Sequence, residues 1–139
     1  MVHLNTSLLS WAIRLILGIL ITGAGIGKLL DMRGFIAVIR TYELGLSTWL
    51  LWPIAILVIV FEIVLGLIIL SGYHLHTAML WSIVMHVGYF VLLTTALFRG
   101  LALQNCGCFG VFLARPLTWA SPIEDLILIG LSYILFILT

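Results

Sequence analysis

Residues 49–70 read WLLWPIAILVIVFEIVLGLIIL and contain one charged side chain, Glu62. A membrane-spanning helix needs about 20 consecutive, mostly apolar residues, and this run is long enough. Three further stretches meet or nearly meet the same requirement, and they cover residues 8–30, 75–98 and 121–138. The sequence therefore predicts an all-α integral membrane protein built as a four-helix transmembrane bundle.

The composition excludes a water-soluble domain, because 64% of the residues are hydrophobic and only 8% are charged. A chain of 139 residues is predicted to form one domain over residues 1–139. The lipid bilayer is the expected partner, whereas no basic cluster indicates nucleic acid. Because the first apolar run is longer than a signal-peptide core, we expect it to be a retained helix.

The three connections between the spans differ in length and character. Residues 31–47 have the spacing of a short amphipathic helix in the membrane interface, ending near Gly45. Residues 71–74 form a tight turn, so the second and third spans should be antiparallel neighbours. Residues 99–120 form the long connection and carry both cysteines of the chain.

The first span contains Gly23 and Gly27, a pair of small residues four positions apart. This spacing lets a second helix approach closely. It predicts helix packing within the chain, with self-association into a homo-oligomer as the alternative.

The two cysteines, Cys106 and Cys108, are separated only by Gly107. Thiols this close can form a disulfide without help from distant parts of the fold, and the small ring is strained and easy to reduce. Gly107 can adopt the backbone angles that such a ring requires, and Arg99 and Arg115 are expected to favour the thiolates. The pattern favours redox exchange.

Other interpretations of the thiols stay open at this point. They include two buried free thiols, a static disulfide, and a site for a soft metal such as Cu(I) or Zn(II). Zinc prefers four ligands, and no histidine lies near the cysteines in sequence.

Ionisable residues inside membrane spans are costly and are often functional. Estimated depths along the helices bring Arg14, Glu62 and His86 together, and the opposite charges of Arg14 and Glu62 predict an ion pair. Lys28 is expected to pair with Asp31 three residues later or to extend to the headgroups.

The start of the last span has the pattern of a helix N-terminus. Ser121 is the expected cap, Pro122 lies in the first turn, and the acids Glu124 and Asp125 meet the helix dipole. Capping is expected to account for both acids.

Several motifs together resemble a known family. They are Arg14-Leu-Ile-Leu-Gly18, Ala24-Gly-Ile-Gly-Lys28-Leu29, Trp52-Pro53, Glu62-Ile-Val-Leu-Gly66 and Cys106-Gly-Cys-Phe-Gly110. Nearly the whole chain is similar to the MauE family, named for methylamine utilisation, and more distantly to DoxX-like four-helix proteins. The cysteine motif is the most specific part of the resemblance.

The resemblance implies a membrane thiol–disulfide oxidoreductase or electron-transfer component. It implies that Cys106 and Cys108 are the redox pair and that Arg14, Lys28 and Glu62 are characteristic polar positions. Its expected partner is a thioredoxin-like protein or an exported thiol protein. An architectural analogy with quinone-coupled thiol oxidases suggests a quinone cofactor. Arg14, Lys28, Glu62 and His86 are the residues expected either to bind it or to carry protons.

The resemblance also implies a bacterial-type plasma (inner) membrane, with the cysteine connection on the exported face. The positive-inside rule favours the opposite orientation, because five of the six Lys and Arg residues lie on the cysteine face. These five are Lys28, Arg33, Arg40, Arg99 and Arg115.

Two alternative functions belong to other classes. A soft-metal protein for copper, mercury or zinc would use Cys106 and Cys108 as its ligands. An inert assembly chaperone would function without either thiol.

Overall fold

The structure is a computed structural model that describes residues 2–101, 103–108 and 115–139, with side chains from residue 7 onward. Five α-helices form this described part of the chain. Their bounds are α1 Val2–Leu30, α2 Met32–Thr41, α3 Thr48–Ser71, α4 Leu75–Phe98 and α5 Ala120–Leu138. The all-helical architecture that the sequence predicts is confirmed.

Four of the five helices are long and apolar enough to cross a membrane. These segments are Ser7–Leu30, Thr48–Ser71, Leu75–Phe98 and Ala120–Leu138. Large apolar side chains such as Leu57, Trp81 and Ile127 are more than half exposed on the outer surface of the bundle, as expected where lipid is the solvent. The chain is a multi-pass membrane protein.

The closest packing joins α1 to α3 and α4 to α5. A Cβ added at Gly18 would lie 2.5 Å from Leu70 Cγ, and one added at Gly66 would lie 2.1 Å from Thr22 Oγ1. Small residues therefore bring α1 and α3 together, as in many membrane helix pairs. A Cβ at Gly23 would meet no atom within 4 Å. The close contact between α1 and α3 therefore forms at Gly18 and Gly66 and not at the predicted Gly23.

A core of apolar side chains fills the centre of the bundle. It includes Leu17 from α1, Ile69 from α3, Met79 from α4 and Leu135 from α5, each with 0% exposure. All four spanning helices contribute to this core, which fixes their relative positions.

The short helix α2 packs on the side of α3. Asp31 caps its start by accepting a hydrogen bond from the Gly34 N–H at 3.0 Å. Its buried residues Phe35 and Ile36 lie against the first turns of α3. The helix ends at Thr41, four residues before Gly45, so the expected end at Gly45 is wrong.

Helix α5 begins at Ala120, one residue before the predicted cap. No side chain caps it, and Ser121 and Pro122 are buried within the first turn. The expectation that Ser121 is the cap is therefore wrong, because the chain is already helical at that position.

Candidate thiol site

The segments on either side of the cysteines pair with each other. The Cys106 N–H donates to the Arg115 carbonyl at 2.9 Å, and the Leu117 N–H donates to the Leu103 carbonyl at 2.9 Å. This pairing holds Cys106 beside Arg115, near the C-terminal end of α4 and the N-terminal end of α5. Phe109 and Gly110 of the cysteine motif lie outside the described residues.

Tyr42, at the end of α2, anchors the cysteine segment to the helices. Its buried phenol donates a hydrogen bond to the Cys106 carbonyl. Arg99 in turn donates to the carbonyls of Tyr42 at 2.7 Å and Glu43 at 3.0 Å. Burial, with a smaller contribution from the two cysteines, raises the pKa of Tyr42, so the phenol stays protonated and keeps donating.

The sulfur atoms of Cys106 and Cys108 lie 3.0 Å apart, and both thiols are free. Gly107 between them has a φ of +80°, a left-handed conformation, and a Cβ there would lie 2.8 Å from Val38 Cγ1. Glycine is therefore needed for both backbone angle and space. A disulfide requires about 2.05 Å between the sulfurs, so closing the bond needs a movement of about 1 Å.

The two thiols have different acidities. A hydrogen bond from Cys108 is the largest of several causes that lower the pKa of Cys106 to about 6, and the charge of Arg115 contributes. The same interaction with the Cys106 thiolate, followed by burial and the charge of Asp125, raises the pKa of Cys108 well above its usual range. At neutral pH the pair is thus one thiolate, at Cys106, and one thiol, at Cys108.

Arg115 supplies the positive charge beside Cys106. Its guanidinium also binds the Glu124 carboxylate of α5, and both side chains are less than half exposed. Glu124 therefore fixes a cation near the thiolate, a role different from the predicted helix capping. The same hydrogen bond with Glu124 raises the pKa of Arg115.

Glu62 pairs with Lys28. The Lys28 Nζ lies 2.7 Å from each carboxylate oxygen of Glu62, and these residues are only 2% and 1% exposed. The Tyr89 phenol donates a further hydrogen bond to Glu62. Lys28 also lies 5.6 Å and 5.4 Å from the ring centres of Phe35 and Tyr89.

The predicted Arg14–Glu62 pair is wrong, as is the predicted Lys28–Asp31 pair. Because α1 and α3 are antiparallel, Arg14 lies beside Gly72, where a Cβ would come 2.7 Å from its Nη1. Gly72 is ten residues beyond Glu62, about 15 Å along a helix. Lys28 reaches Glu62 because helical side chains point towards the helix N-terminus, while Asp31 caps α2 instead.

His86 is buried in α4, near Glu62 but not near Arg14. Its Nδ1 lies 2.8 Å from the Ser82 carbonyl, to which it donates as the protonated nitrogen. The Ser82 hydroxyl also contacts the Ser132 hydroxyl of α5 at 2.8 Å. This arrangement holds the imidazole ring in place between α4 and α5.

Two cavities meet the thiol pair. The larger, about 140 Å³, has mostly apolar walls that include Phe35, Ile54, Tyr89 and both cysteines. The smaller, about 60 Å³, is lined by apolar side chains of α1, α4 and α5, by Cys108 and by six polar residues. Its polar groups are Glu62, His86, Tyr89, Ser121, Glu124 and Asp125.

The structure thus brings most of the predicted site residues together. Cys108 shares the larger cavity with Lys28 and the smaller one with Glu62 and His86. Arg14 is the exception, since it lies level with the turn that joins α3 and α4.

Asp125 is the site residue that the sequence analysis missed. It is 7% exposed, and its Oδ2 is buried without a hydrogen-bond partner among the described residues. An acid inside a membrane span was the signal that pointed to it. Assigning the residue to helix capping hid that signal, because capping leaves a carboxylate at the surface.

Among the described residues, no three His, Cys, Asp or Glu side chains are grouped so that they could hold a metal ion. Zinc in proteins commonly has four ligands. The part of the chain that the structure describes therefore offers two thiols and no third ligand beside them.

The comparisons with known proteins give one match. The family model described as methylamine utilisation protein MauE matches residues 6–138. No curated protein matches the chain, and no solved structure matches it. Since the family model covers nearly the whole sequence, including the cysteine motif and the Lys28–Glu62 pair, this membrane protein belongs to the MauE family of methylamine utilisation proteins.

Proposed function

We propose that this protein is a membrane thiol–disulfide oxidoreductase that supports disulfide formation or maturation of exported proteins. Cys106 and Cys108 would cycle between dithiol and disulfide, with a thioredoxin-like protein or an exported thiol protein as the partner. The observation that carries the proposal is the pair of free sulfurs 3.0 Å apart, one favoured as thiolate and the other as thiol.

The difference between the thiols supports an order of events. As a whole residue Cys108 is less buried than Cys106, so it would form the mixed disulfide with the partner. Cys106 is buried and has the lower pKa, and a thiol of low pKa is the better leaving group. Cys106 would therefore be the leaving group when a partner thiolate attacks the disulfide at Cys108. In the reverse direction, the Cys106 thiolate would attack the Cys108 sulfur of the mixed disulfide.

A catalytic cycle also needs an electron acceptor, and a quinone fits the larger cavity. A cavity of about 140 Å³ is close to the size that holds a single aromatic ring. Phe35 and Tyr89 provide apolar walls, and Lys28 uses two of its three N–H donors on Glu62, which leaves one for a carbonyl oxygen. A quinone would supply two-electron acceptor chemistry beside the sulfurs, and a soluble quinone should reoxidise the reduced pair.

The proposed function is tested by thiol alkylation of the full-length protein, followed by mass spectrometry. Under oxidising conditions we expect neither cysteine of the folded protein to react until a reductant is added. Equal alkylation of both cysteines without reductant would contradict the proposal. Elemental analysis of the purified protein distinguishes the redox function from the metal-binding alternative. The alternative requires stoichiometric copper, mercury or zinc in the wild-type protein and its loss in Cys106→Ser.

The acidity difference gives a second readout in the same reduced protein. Below pH 6 Cys106 is expected to be a thiol, and as the pH rises through about 6 the ultraviolet absorbance of one thiolate should appear. In Cys108→Ala this transition should move to higher pH, because the main hydrogen bond to the thiolate is removed. A transition that stays near pH 6 in this variant would contradict the assigned cause.

We also propose that the cysteine connection faces the exported side of a bacterial-type plasma membrane. The family role supports this orientation, and the count of Lys and Arg residues opposes it. Labelling Cys106 and Cys108 in intact cells with a membrane-impermeant thiol reagent after reduction decides between the two. If the cysteines are labelled only after the membrane is permeabilised, the cysteine connection faces the cytoplasm and the proposed orientation is wrong.

A further inference from the structure

A buried carboxylate with no partner among the described residues lies on the wall of a cavity that Cys108 also lines. Asp125 is 7% exposed, and no described group forms a hydrogen bond with its Oδ2. A buried polar atom without a partner is costly and calls for an explanation in a folded protein. Packing gives none here, because a serine or an apolar residue could fill the position without that cost.

Asp125 and Cys108 line the same cavity of about 60 Å³. That volume is large enough for water, and the walls provide several polar partners. The two side chains therefore lie on one cavity wall, and the charge of Asp125 acts on Cys108.

The acidities of the two thiols create a need for a base at Cys108. The Cys106 thiolate forms without help at neutral pH, whereas the neighbouring thiolate and burial keep Cys108 protonated. A thiolate is the nucleophile in disulfide exchange. Every bond that the reduced Cys108 forms as a nucleophile must therefore be accompanied by loss of its thiol proton.

The other ionisable groups around Asp125 are already engaged. Glu62 accepts from Lys28 and Tyr89, Glu124 binds Arg115, and His86 is held by the Ser82 carbonyl. The groups that face Asp125 or act on it electrostatically are Lys28 of α1, Glu62 of α3, His86 and Tyr89 of α4, Cys106 and Cys108 of the connection, and Glu124 of α5 itself. Among these described carboxylates, Asp125 is the one with a buried oxygen that has no hydrogen-bond partner.

We propose that Asp125 is the proton-exchange group for Cys108. Its carboxylate takes the thiol proton when the Cys108 sulfur forms a bond, and its carboxylic acid returns the proton when that bond breaks. This inference rests on the proposed thiol–disulfide function and adds a residue to it.

The step balances as follows when the partner is a disulfide. Cys108 gives its proton to Asp125 and its sulfur attacks the partner, which breaks the partner S–S bond and forms a mixed disulfide. The released partner thiolate takes a proton from water. Cys106 then attacks the Cys108 sulfur, the second partner sulfur leaves as a thiolate, and two electrons have moved from the cysteine pair to the partner.

In the opposite direction the same groups oxidise a partner dithiol. The partner thiolate attacks the Cys108 sulfur, and Cys106 leaves as the stabilised thiolate. The second partner thiol gives its proton to water and closes the partner disulfide, and Cys108 leaves and takes its proton back from Asp125. The carboxyl group returns to its starting state after each full cycle.

The test follows the reduced full-length protein in detergent micelles after mixing with glutathione disulfide. Acid quenching and mass spectrometry count the mixed disulfide and the Cys106–Cys108 disulfide over time. The intramolecular disulfide requires deprotonation of Cys108 whichever sulfur reacts first. In Asp125→Asn its formation at pH 7 should slow by about a hundredfold or more, the lower end of general acid–base effects.

The pH profile separates a proton-transfer role from a structural one. The deficit of Asp125→Asn should shrink as the pH rises, because hydroxide then deprotonates Cys108 without the carboxylate. Asp125→Glu returns a carboxylate to the cavity, so it should form the Cys106–Cys108 disulfide faster than Asp125→Asn does. This variant also keeps the test valid if Asp125→Asn folds poorly. Glu43→Gln removes an exposed carboxylate that lies 3.8 Å from Arg99 and should change the rate by less than about fivefold.

Three results would overturn the inference. They are an unchanged rate in Asp125→Asn, a deficit that is the same at every pH, and a loss in His86→Gln that Asp125→Asn does not share. If the wild-type protein forms neither a mixed nor an intramolecular disulfide, the proposed function itself fails. That outcome differs from all three, because it appears without any substitution at Asp125.

Discussion

Two buried carboxylates lie on the wall of the same small cavity, and their surroundings differ completely. Glu62 receives hydrogen bonds from Lys28 on both oxygens and from Tyr89 on one. Asp125 has a buried oxygen without a partner among the described residues. We infer that the fully bonded Glu62 holds helices together. Asp125, with no partner among the described residues, is the group proposed to exchange a proton with Cys108.

This comparison also separates two functions of charge inside a membrane protein. The Glu62 region joins α1, α3 and α4 through one buried ion pair and one phenol. Around Asp125, the Arg115–Glu124 pair at the surface joins α5 to the cysteine segment, and Asp125 itself has no partner among the described residues. The first region stabilises the bundle, and the second controls the chemistry of the sulfurs.

The largest expected effect comes from Glu62→Gln. It leaves the Lys28 ammonium buried without its counter-charge, and breaking a buried pair costs about 3–5 kcal/mol. Reversible unfolding in mixed micelles measures the change in free energy of unfolding. Lys28→Met combined with Glu62→Leu should recover much of the loss, since no charge then remains buried.

A loss below about 1 kcal/mol in Glu62→Gln would contradict the structural role of this pair. It would mean that water reaches Lys28, and the contrast between the two carboxylates would disappear.

A smaller effect is expected for Tyr89→Phe. The substitution removes one donor to Glu62 but keeps the Lys28–Glu62 pair, and a hydrogen bond to a charged group contributes about 1.5–3 kcal/mol. The same unfolding measurement should therefore place this variant between the wild-type protein and Glu62→Gln. A loss as large as that of Glu62→Gln would show that the phenol, not the ion pair, holds the helices.

The smallest change in stability is expected for Asp125→Asn. The amide has nearly the shape of the carboxylate and removes a buried charge, so unfolding free energy should stay within about 1 kcal/mol of wild type or rise. The variant should thus lose disulfide-exchange rate while keeping its stability. Destabilisation comparable to that of Glu62→Gln would assign Asp125 to the packing of α5.

Parts of the site were predictable from the sequence because they depend on local spacing. Cys106 and Cys108 are neighbours in the fold as they are in the chain, and the left-handed angle at Gly107 follows from its position between them. The pairing of Glu62 was not predictable in this way. Arg14 and Lys28 are both cations of the first span, and only the alignment of α1 against α3 decides which of them lies level with Glu62.

The sequence by itself determined the four spanning helices, the short helix after the first, and the position of the thiols in the long connection. These features depend on apolar length and on neighbours along the chain. Tertiary structure alone decided which charges pair, which carboxylate stays unpaired, and which thiol is the more acidic. The physical reason is that charge interactions fall off with distance and depend on burial, and both are set by how the helices pack.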